Sequence, residues 1–432
     1  MTGKDMPLSD SRSTSGSMSV SLVCLLALGH CAAFADRNLP AVAAPLLKAN
    51  LGLSDAQLGL LDGPAFAVLY AVGMLASWPL ASSRHRIRLL AGCIAMWALG
   101  MVVFAFGRSF DMLVAARALV GLGQSAFVPL ALGLIVQRSV PQWRARSIAV
   151  FTAASVVGRS LALLVGGATL ALLDRWVPTS GLAHWRLLFL VMAAPNLVLI
   201  VILLRCAEQP PASLYPMACL EQLLDWFRRR PKLIGLYLGG AAGSVLVVQT
   251  VGAWAPSVLH REQGLTPATA ALAFGVALLV ASPLGHLSAG ALIDLRGKRV
   301  TPMAVMAGGL LLAVPLLWML PRATSSVAAC GLLALTSLVG GTAAVAALAG
   351  LPSMLPAPLR DAGVRLFLVV ITVLGVGLGP FIAGYVSDGI GTGAHGLSTA
   401  LYLVCAAAAI FGAGSALLAR WGWRRAAVEI AG

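Results

Sequence analysis

The sequence predicts an all-α membrane protein whose twelve transmembrane helices form two six-helix halves. Three observations carry that prediction. The chain is 59% hydrophobic and only 10% charged, with a mean hydropathy of +0.92, far outside the range of a water-soluble domain. Its apolar residues fall in repeated runs of about 20, the length a helix needs to cross hydrocarbon, rather than the ten-residue alternating segments of a barrel strand. Local patterns of the first half also recur in the second at an offset near half the chain length.

In chain order the apolar runs lie at 19–47, 54–80, 88–107, 110–137, 146–173, 184–205, 232–258, 266–292, 301–320, 324–350, 360–388 and 396–420, and they are numbered here as spans 1 to 12. Ser54 with Gln57 three residues on is a capping box opening span 2, and Thr266 followed by Pro267 opens span 8. Residues 1–18, rich in Ser and Asp, predict a disordered tail. The N-terminal half then covers 19–205, a linker 206–231, the C-terminal half 232–420 and a second tail 421–432. The linker carries Pro210-Pro211 and then the stretch Met217 to Arg230, with Leu220, Leu223, Leu224 and Phe227 at helical spacing. That pattern predicts an amphipathic helix lying on the membrane surface. In span 1, Ala33-Phe34-Ala35 resembles a signal-peptidase site, but the apolar run continues to about Leu47 and reads as a retained span.

The net charge of +15 superficially suggests a nucleic-acid partner. Its distribution argues otherwise, because the basic residues are short clusters between apolar runs, where topology signals belong. Assigning loops alternately to two faces puts 21 Lys and Arg on the face of the termini and 6 on the opposite face (Lys48, Arg108, Arg175, Arg186, Arg261 and Arg322). Both termini and the linker are therefore expected in the cytoplasm. Seven cysteines without C-x-x-C spacing, six scattered histidines and no phosphate-binding loop predict no disulfide framework, no metal site, no cofactor and no ATP coupling within the chain. Three asparagines, none starting a glycosylation sequon, and a strong excess of Arg over Lys favour a bacterial inner membrane. A monomer in the lipid bilayer is expected.

The charges inside the spans carry the functional reading. Asp36 and Arg37 lie in span 1, Asp62 in span 2, Arg117 and Gln124 in span 4 and Arg159 at the middle of span 5. Burying a charge in hydrocarbon costs several kcal/mol unless partners or water are present, so intramembrane ionisable groups default to functional candidates. Arg117 and Gln124 are seven residues apart and share a face of span 4, with Gly121 between them. His30 and Arg37 share a face of span 1 in the same way. The competing reading is a static ion pair, Asp36 or Asp62 with Arg37 or Arg117, that only holds helices together. Arg159 has no partner on its own helix: it either binds an anion or pairs with an acid of span 1 or 2. In the C-terminal half the deep ionisable group is His286, which as a lone histidine reads first as a packed polar residue. A cavity basic on one side and apolar on the other suits an amphiphilic or organic anion, because a guanidinium fork gives a carboxylate, sulfonate or phosphate two hydrogen bonds. Gln249 and Trp254 of span 7 are candidates for its head and body, with packing as their alternative role.

The halves echo each other through Pro141-Gln-Trp-Arg144 and Pro356-Ala-Pro-Leu-Arg360, and through the loops after spans 2 and 8. Gly290-x-x-x-Asp294-x-Arg296-Gly297-x-Arg299 resembles the signature loop of the major facilitator superfamily. Further stretches resemble its spinster-like branch: Phe34-Ala-Asp36-Arg37-Asn38, Leu53-Ser-Asp-Ala-Gln57-Leu-Gly59, Arg117-x-x-x-Gly121-x-Gly123, Ala253-Trp254-x-Pro256 and Gly379-Pro380. The anion-cation symporter branch shares the Asp-Arg pair and the span 4 arginine. The resemblance implies a secondary transporter working by alternating access, its cavity lined by spans 1, 4, 7 and 10, with Asp294, Arg296 and Arg299 as gating residues. Two departures stand out. Ser82 replaces the signature aspartate of the first half, and Gln124 stands where these families usually carry Glu. A glutamine cannot bind and release a proton, so any proton coupling falls on Asp36 or Asp62, with uniport as the alternative. Multidrug efflux and carboxylate symport remain open within the class. Outside it stands a transport-defective sensor or scaffold. A membrane-embedded enzyme would need clustered acids or histidines near one interface, which the sequence lacks.

Overall fold

The computed structural model describes residues 20–431 apart from 78, 81–82, 178–180, 209–217, 296–299, 392 and 394. Among these, twelve helices are long and apolar enough to cross a membrane: Ser21–Leu51, Asp55–Ala76, Arg86–Phe106, Phe110–Arg138, Gln142–Trp176, His184–Leu204, Pro231–Arg261, Pro267–Asp294, Pro302–Arg322, Ser326–Met354, Ala357–Ile390 and Gly396–Trp423. These are spans 1 to 12. The start of span 1, the linker helix and the end of span 12 share one face, called here the terminal face; the opposite face is the distal face.

Three spans are interrupted, and the interruptions matter for the site. Span 2 breaks at Gly63, immediately before Pro64, which has no N–H to continue the helix ladder. Span 4 breaks at Ala126. Span 11 contains a π-helical stretch, Thr372–Gly377. The last helix runs on to Ala431, so the basic segment beyond residue 420 continues as helix instead of forming a separate tail.

The halves meet along three seams: span 1 on span 7, span 2 on span 11, and span 5 on span 8. Between spans 2 and 11 the approach is backbone to backbone. A Cβ at Gly59 would sit 2.3 Å from the Pro380 carbonyl oxygen, one at Gly63 2.3 Å from that of Gly377, and one at Gly384 2.2 Å from that of Asp55. Glycine at these positions is therefore what permits the seam, since any side chain would force the helices apart.

The linker helix, Ala218–Arg229, is amphipathic as the spacing predicts. It buries Leu223 beside Gly363 at the start of span 11. Ser82, Arg296 and Arg299 and the Pro210-Pro211 pair lie outside the described residues. Asp294, the described member of the expected gating set, is exposed at the end of span 8.

Candidate functional site

Near mid-membrane, spans 1, 2, 4, 5 and 7 bring four charged side chains together. Arg37 donates from Nε and Nη2 to Oε1 of Gln124, both at 3.3 Å. Its guanidinium also lies over three rings, 4.6 Å from the centre of Phe34, 4.4 Å from Phe66 and 4.8 Å from Tyr70. An arginine sandwiched among aromatic faces is held by cation–π attraction without a carboxylate partner. It is half-buried, and the bonds to Gln124 are long.

Gln124 donates in turn to the Ala33 carbonyl at 2.9 Å. Its shared face with Arg117 is the face toward span 1, as the seven-residue spacing predicts. Arg117 is 1% exposed and donates to two backbone carbonyls, Leu61 at 2.9 Å and Arg37 at 3.1 Å. One of these lies beside the break in span 2, where backbone acceptors lack helical donors. Arg117 thus braces span 4 against two other helices, and no part of it is open to a ligand in this state. Asp62, at the same break, approaches it to 3.9 Å, and the charges acting on that carboxylate are those of Arg117, Arg159 and Arg37.

Arg159 crosses between the halves, donating from Nη2 to the Val248 carbonyl of span 7 at 2.7 Å. It occupies the space that a side chain at position 252 would take, since a Cβ there would fall 1.8 Å from Nη2. Gly252, which leaves that space, is a position that the sequence reading did not single out. Its only signal was an isolated glycine in an apolar helix, which is shared with many others. Gln249 is part-exposed one turn away on the same helix. Trp254 is buried and donates to the Pro380 carbonyl at 3.0 Å, bridging spans 7 and 11 above a small void that Asp62 and Pro40 also line. His286 accepts a packing role, with its Nδ1 2.7 Å from the Ser282 carbonyl oxygen, and His30 stacks on Phe151 at 4.3 Å.

Asp36 and Arg37 do not pair. Consecutive helix residues point about 100° apart, and Asp36 turns into the N-terminal half, where it accepts from Nδ2 of Asn196 at 2.8 Å. Asn196 accepts from the indole of Trp97 at 3.1 Å, and all three side chains are buried. Asn196→Leu would strand the carboxylate without its donor, a loss of about 1–3 kcal/mol. Thermal unfolding of the purified variant is expected several degrees below wild type, and an unchanged midpoint would remove this triad from the stability of the half.

A second cluster closes the distal face. Asp55, 1% exposed, pairs with Lys48 at the end of span 1 and with Arg261 at the end of span 7, the latter at 2.8 Å. It also accepts from Ser387 of span 11 at 2.7 Å. The Asp388 carboxylate accepts from the backbone N–H groups of Asp55 and Ala56 at 3.0 and 2.8 Å, capping span 2 from the other half. Sequence reading missed this clasp because its partners in the other half lie more than 200 and 330 residues from Asp55. The capping box of Ser54 and Gln57 was visible, and it forms as expected.

The sequence profile described as the Major Facilitator Superfamily matches residues 26–380. The chain is 27% identical over 417 residues to an MFS-type efflux pump of Mycolicibacterium smegmatis, covering 94% of each. It is 26% identical over 396 residues to the human protein spinster homolog 1, with 85% of this chain and 72% of the relative covered. To the 3-(3-hydroxy-phenyl)propionate transporter of Escherichia coli it is 28% identical over 369 residues, 80% and 83% of the two chains. In structure it is similar to a bacterial homolog of the human lysosomal transporter Spinster, crystallised inward-facing and unoccupied, with a TM-score of 0.81 at 23% identity, covering 92% of this chain and 96% of the other.

Proposed function

This chain belongs to the Major Facilitator Superfamily, and from that premise we propose that it is a secondary transporter of a small amphiphilic organic anion, moved by alternating access. Transport as such follows from the family and its relatives, which are carriers and not enzymes. The observation that supports an anionic substrate is the imbalance of the mid-membrane cluster. Three guanidinium groups, Arg37, Arg117 and Arg159, act on the carboxylate of Asp62, and Arg117 also feels that of Asp36, so three cations face two acids. Arg117 is committed to two backbone carbonyls and Arg159 to that of Val248, both buried, so the half-buried Arg37 is the guanidinium best suited to take a substrate head group. Phe34, Phe66 and Tyr70 around it suit an aromatic or otherwise apolar body. Efflux and aromatic-acid transport by relatives are consistent with such a ligand. The test is thermal stabilisation of the purified protein across 3-(3-hydroxyphenyl)propionate, other aromatic acids, bile-acid-like compounds and single-chain anionic lipids, followed by flux in proteoliposomes. Stabilisation by neutral or cationic compounds alone would contradict the reading, and binding without flux would favour a sensor.

Orientation follows the charge asymmetry: the terminal face is cytoplasmic and the distal clasp faces the periplasm of a bacterial inner membrane. Reporter fusions at Gln209 and Gly432 are expected to score cytoplasmic, and a periplasmic signal at either would reverse the assignment.

If transport is proton-coupled, Asp62 is the acid placed to carry it. It shares its surroundings with the arginines, so a substrate that draws Arg37 away leaves the carboxylate less compensated and favours its protonation. Asp36 is enclosed with Asn196, and the arginine that acts on it, Arg117, is itself committed to backbone carbonyls. Accumulation driven by an imposed pH gradient is therefore expected to fail in Asp62→Asn while uptake down a substrate gradient survives. Retention of gradient-driven accumulation in Asp62→Asn would eliminate this route.

A further inference from the structure

Away from the central cluster, a groove of about 1020 Å³ opens at the terminal face between the linker helix, the start of span 7 and the end of span 12. Its walls divide by chemistry. On one side stand Arg230, whose guanidinium lies 5.0 Å from the ring centre of Trp226, and the exposed Lys232. Arg229 also borders the groove, but it is paired at 2.7 Å with Asp225, the acid of the lining. On the other side, Leu236, Leu418 and Trp421 continue onto the outer surface of the helical bundle, and Leu418 and Trp421 are 56% and 59% exposed. In a protein whose spans cross a bilayer, that surface is covered by acyl chains.

We propose that this groove is a binding site for a single anionic phospholipid, with its phosphate between Arg230 and Lys232 and an acyl chain along Leu236, Leu418 and Trp421. The argument is one of complementarity. Two cations that no carboxylate of the described residues engages meet an apolar wall at the depth where head group gives way to hydrocarbon, and tryptophan favours that depth. A soluble anion would use the charged side and make no use of the exposed Leu418. A zwitterionic lipid would match the wall but set its own cation against Arg230 and Lys232. Because the linker helix joins the two halves in sequence and rests on span 11 through Leu223, a lipid here fastens the linker to the C-terminal half. The inference does not depend on the identity of the transported substrate.

The test uses the purified full-length chain, titrated in detergent micelles with dioleoylphosphatidylglycerol or dioleoylphosphatidylcholine and followed by native mass spectrometry and thermal unfolding. Wild type is expected to retain phosphatidylglycerol preferentially and to be stabilised by it. Arg230→Gln with Lys232→Gln should lower that affinity about thirtyfold, the loss expected for two interfacial cations. Arg84→Gln with Arg88→Gln, exposed cations of the other half on the same face, should leave it near wild type. Should the first double variant fail to fold, Leu236→Trp fills the groove, keeps both charges and is expected to displace the lipid. Equal retention in the groove variants and wild type would overturn the proposal. So would equal losses in both double variants, or protection by inorganic phosphate that matches the lipid.

Discussion

Replacing Arg37 with glutamine is expected to weaken binding of an anionic substrate by about tenfold to a hundredfold while the protein stays folded. The magnitude follows from hydrogen bonds to a charged group, worth about 1.5–3 kcal/mol, and from about 1.4 kcal/mol per factor of ten. Folding should survive because Arg37 is held by long contacts to Gln124 and by three rings, none of which is left as an unpaired buried charge. Arg117→Gln is the contrasting variant. It would free the Leu61 and Arg37 carbonyls together, so its defect should appear in thermal stability as well as in affinity. Isothermal titration and unfolding of both variants separate a ligand-binding arginine from a brace. Equal stability losses, with affinity unchanged in Arg37→Gln, would assign Arg37 to structure as well.

The second large effect is expected at the distal clasp. Asp55→Ala removes the acid shared by Lys48 and Arg261 and the acceptor of Ser387. Breaking a fully buried ion pair costs about 3–5 kcal/mol, but the side chains of Lys48 and Arg261 are 36% and 28% exposed and regain water. About 1–3 kcal/mol of the closed state's advantage is therefore expected to be lost. That shifts the population of the distally open state by roughly tenfold to a hundredfold. A cysteine at position 58, where Leu58 is buried in the seam, reports the change on a background free of the native cysteines. Labelling by a membrane-impermeant maleimide should accelerate by that factor in Asp55→Ala and also in Arg261→Gln. Unchanged labelling would mean that the glycine seam of spans 2 and 11 holds the face closed without the clasp.

How much of this was legible in the sequence depends on the range of the interaction. The spans were legible because hydrocarbon demands long apolar runs, and the read boundaries fall within a few residues of the helices. The break at Gly63 had a local signal in Pro64, but the π-helical stretch at 372–377, where Gly377 meets Gly63 of span 2, had none. The helix-face argument put Arg117 and Gln124 on one side correctly, since helical periodicity is local. It also implied that Asp36 and Arg37 look in different directions, yet adjacency in sequence made them read as a pair. Arg159 donates to the Val248 carbonyl of span 7. Its place depends on Gly252 in the other half, a fact no local pattern contains.

The central claim is that the arginine cluster around Asp62 selects an anion. It is tested most directly by comparing the tightest-binding carboxylate of the stabilisation panel with its primary amide, which has nearly the same shape and no charge. Titrated into wild type, the carboxylate is expected to bind at least about tenfold more tightly than the amide, and the gap should close in Arg37→Gln. Equal binding of acid and amide to wild type, or a gap that survives in Arg37→Gln, would contradict the account.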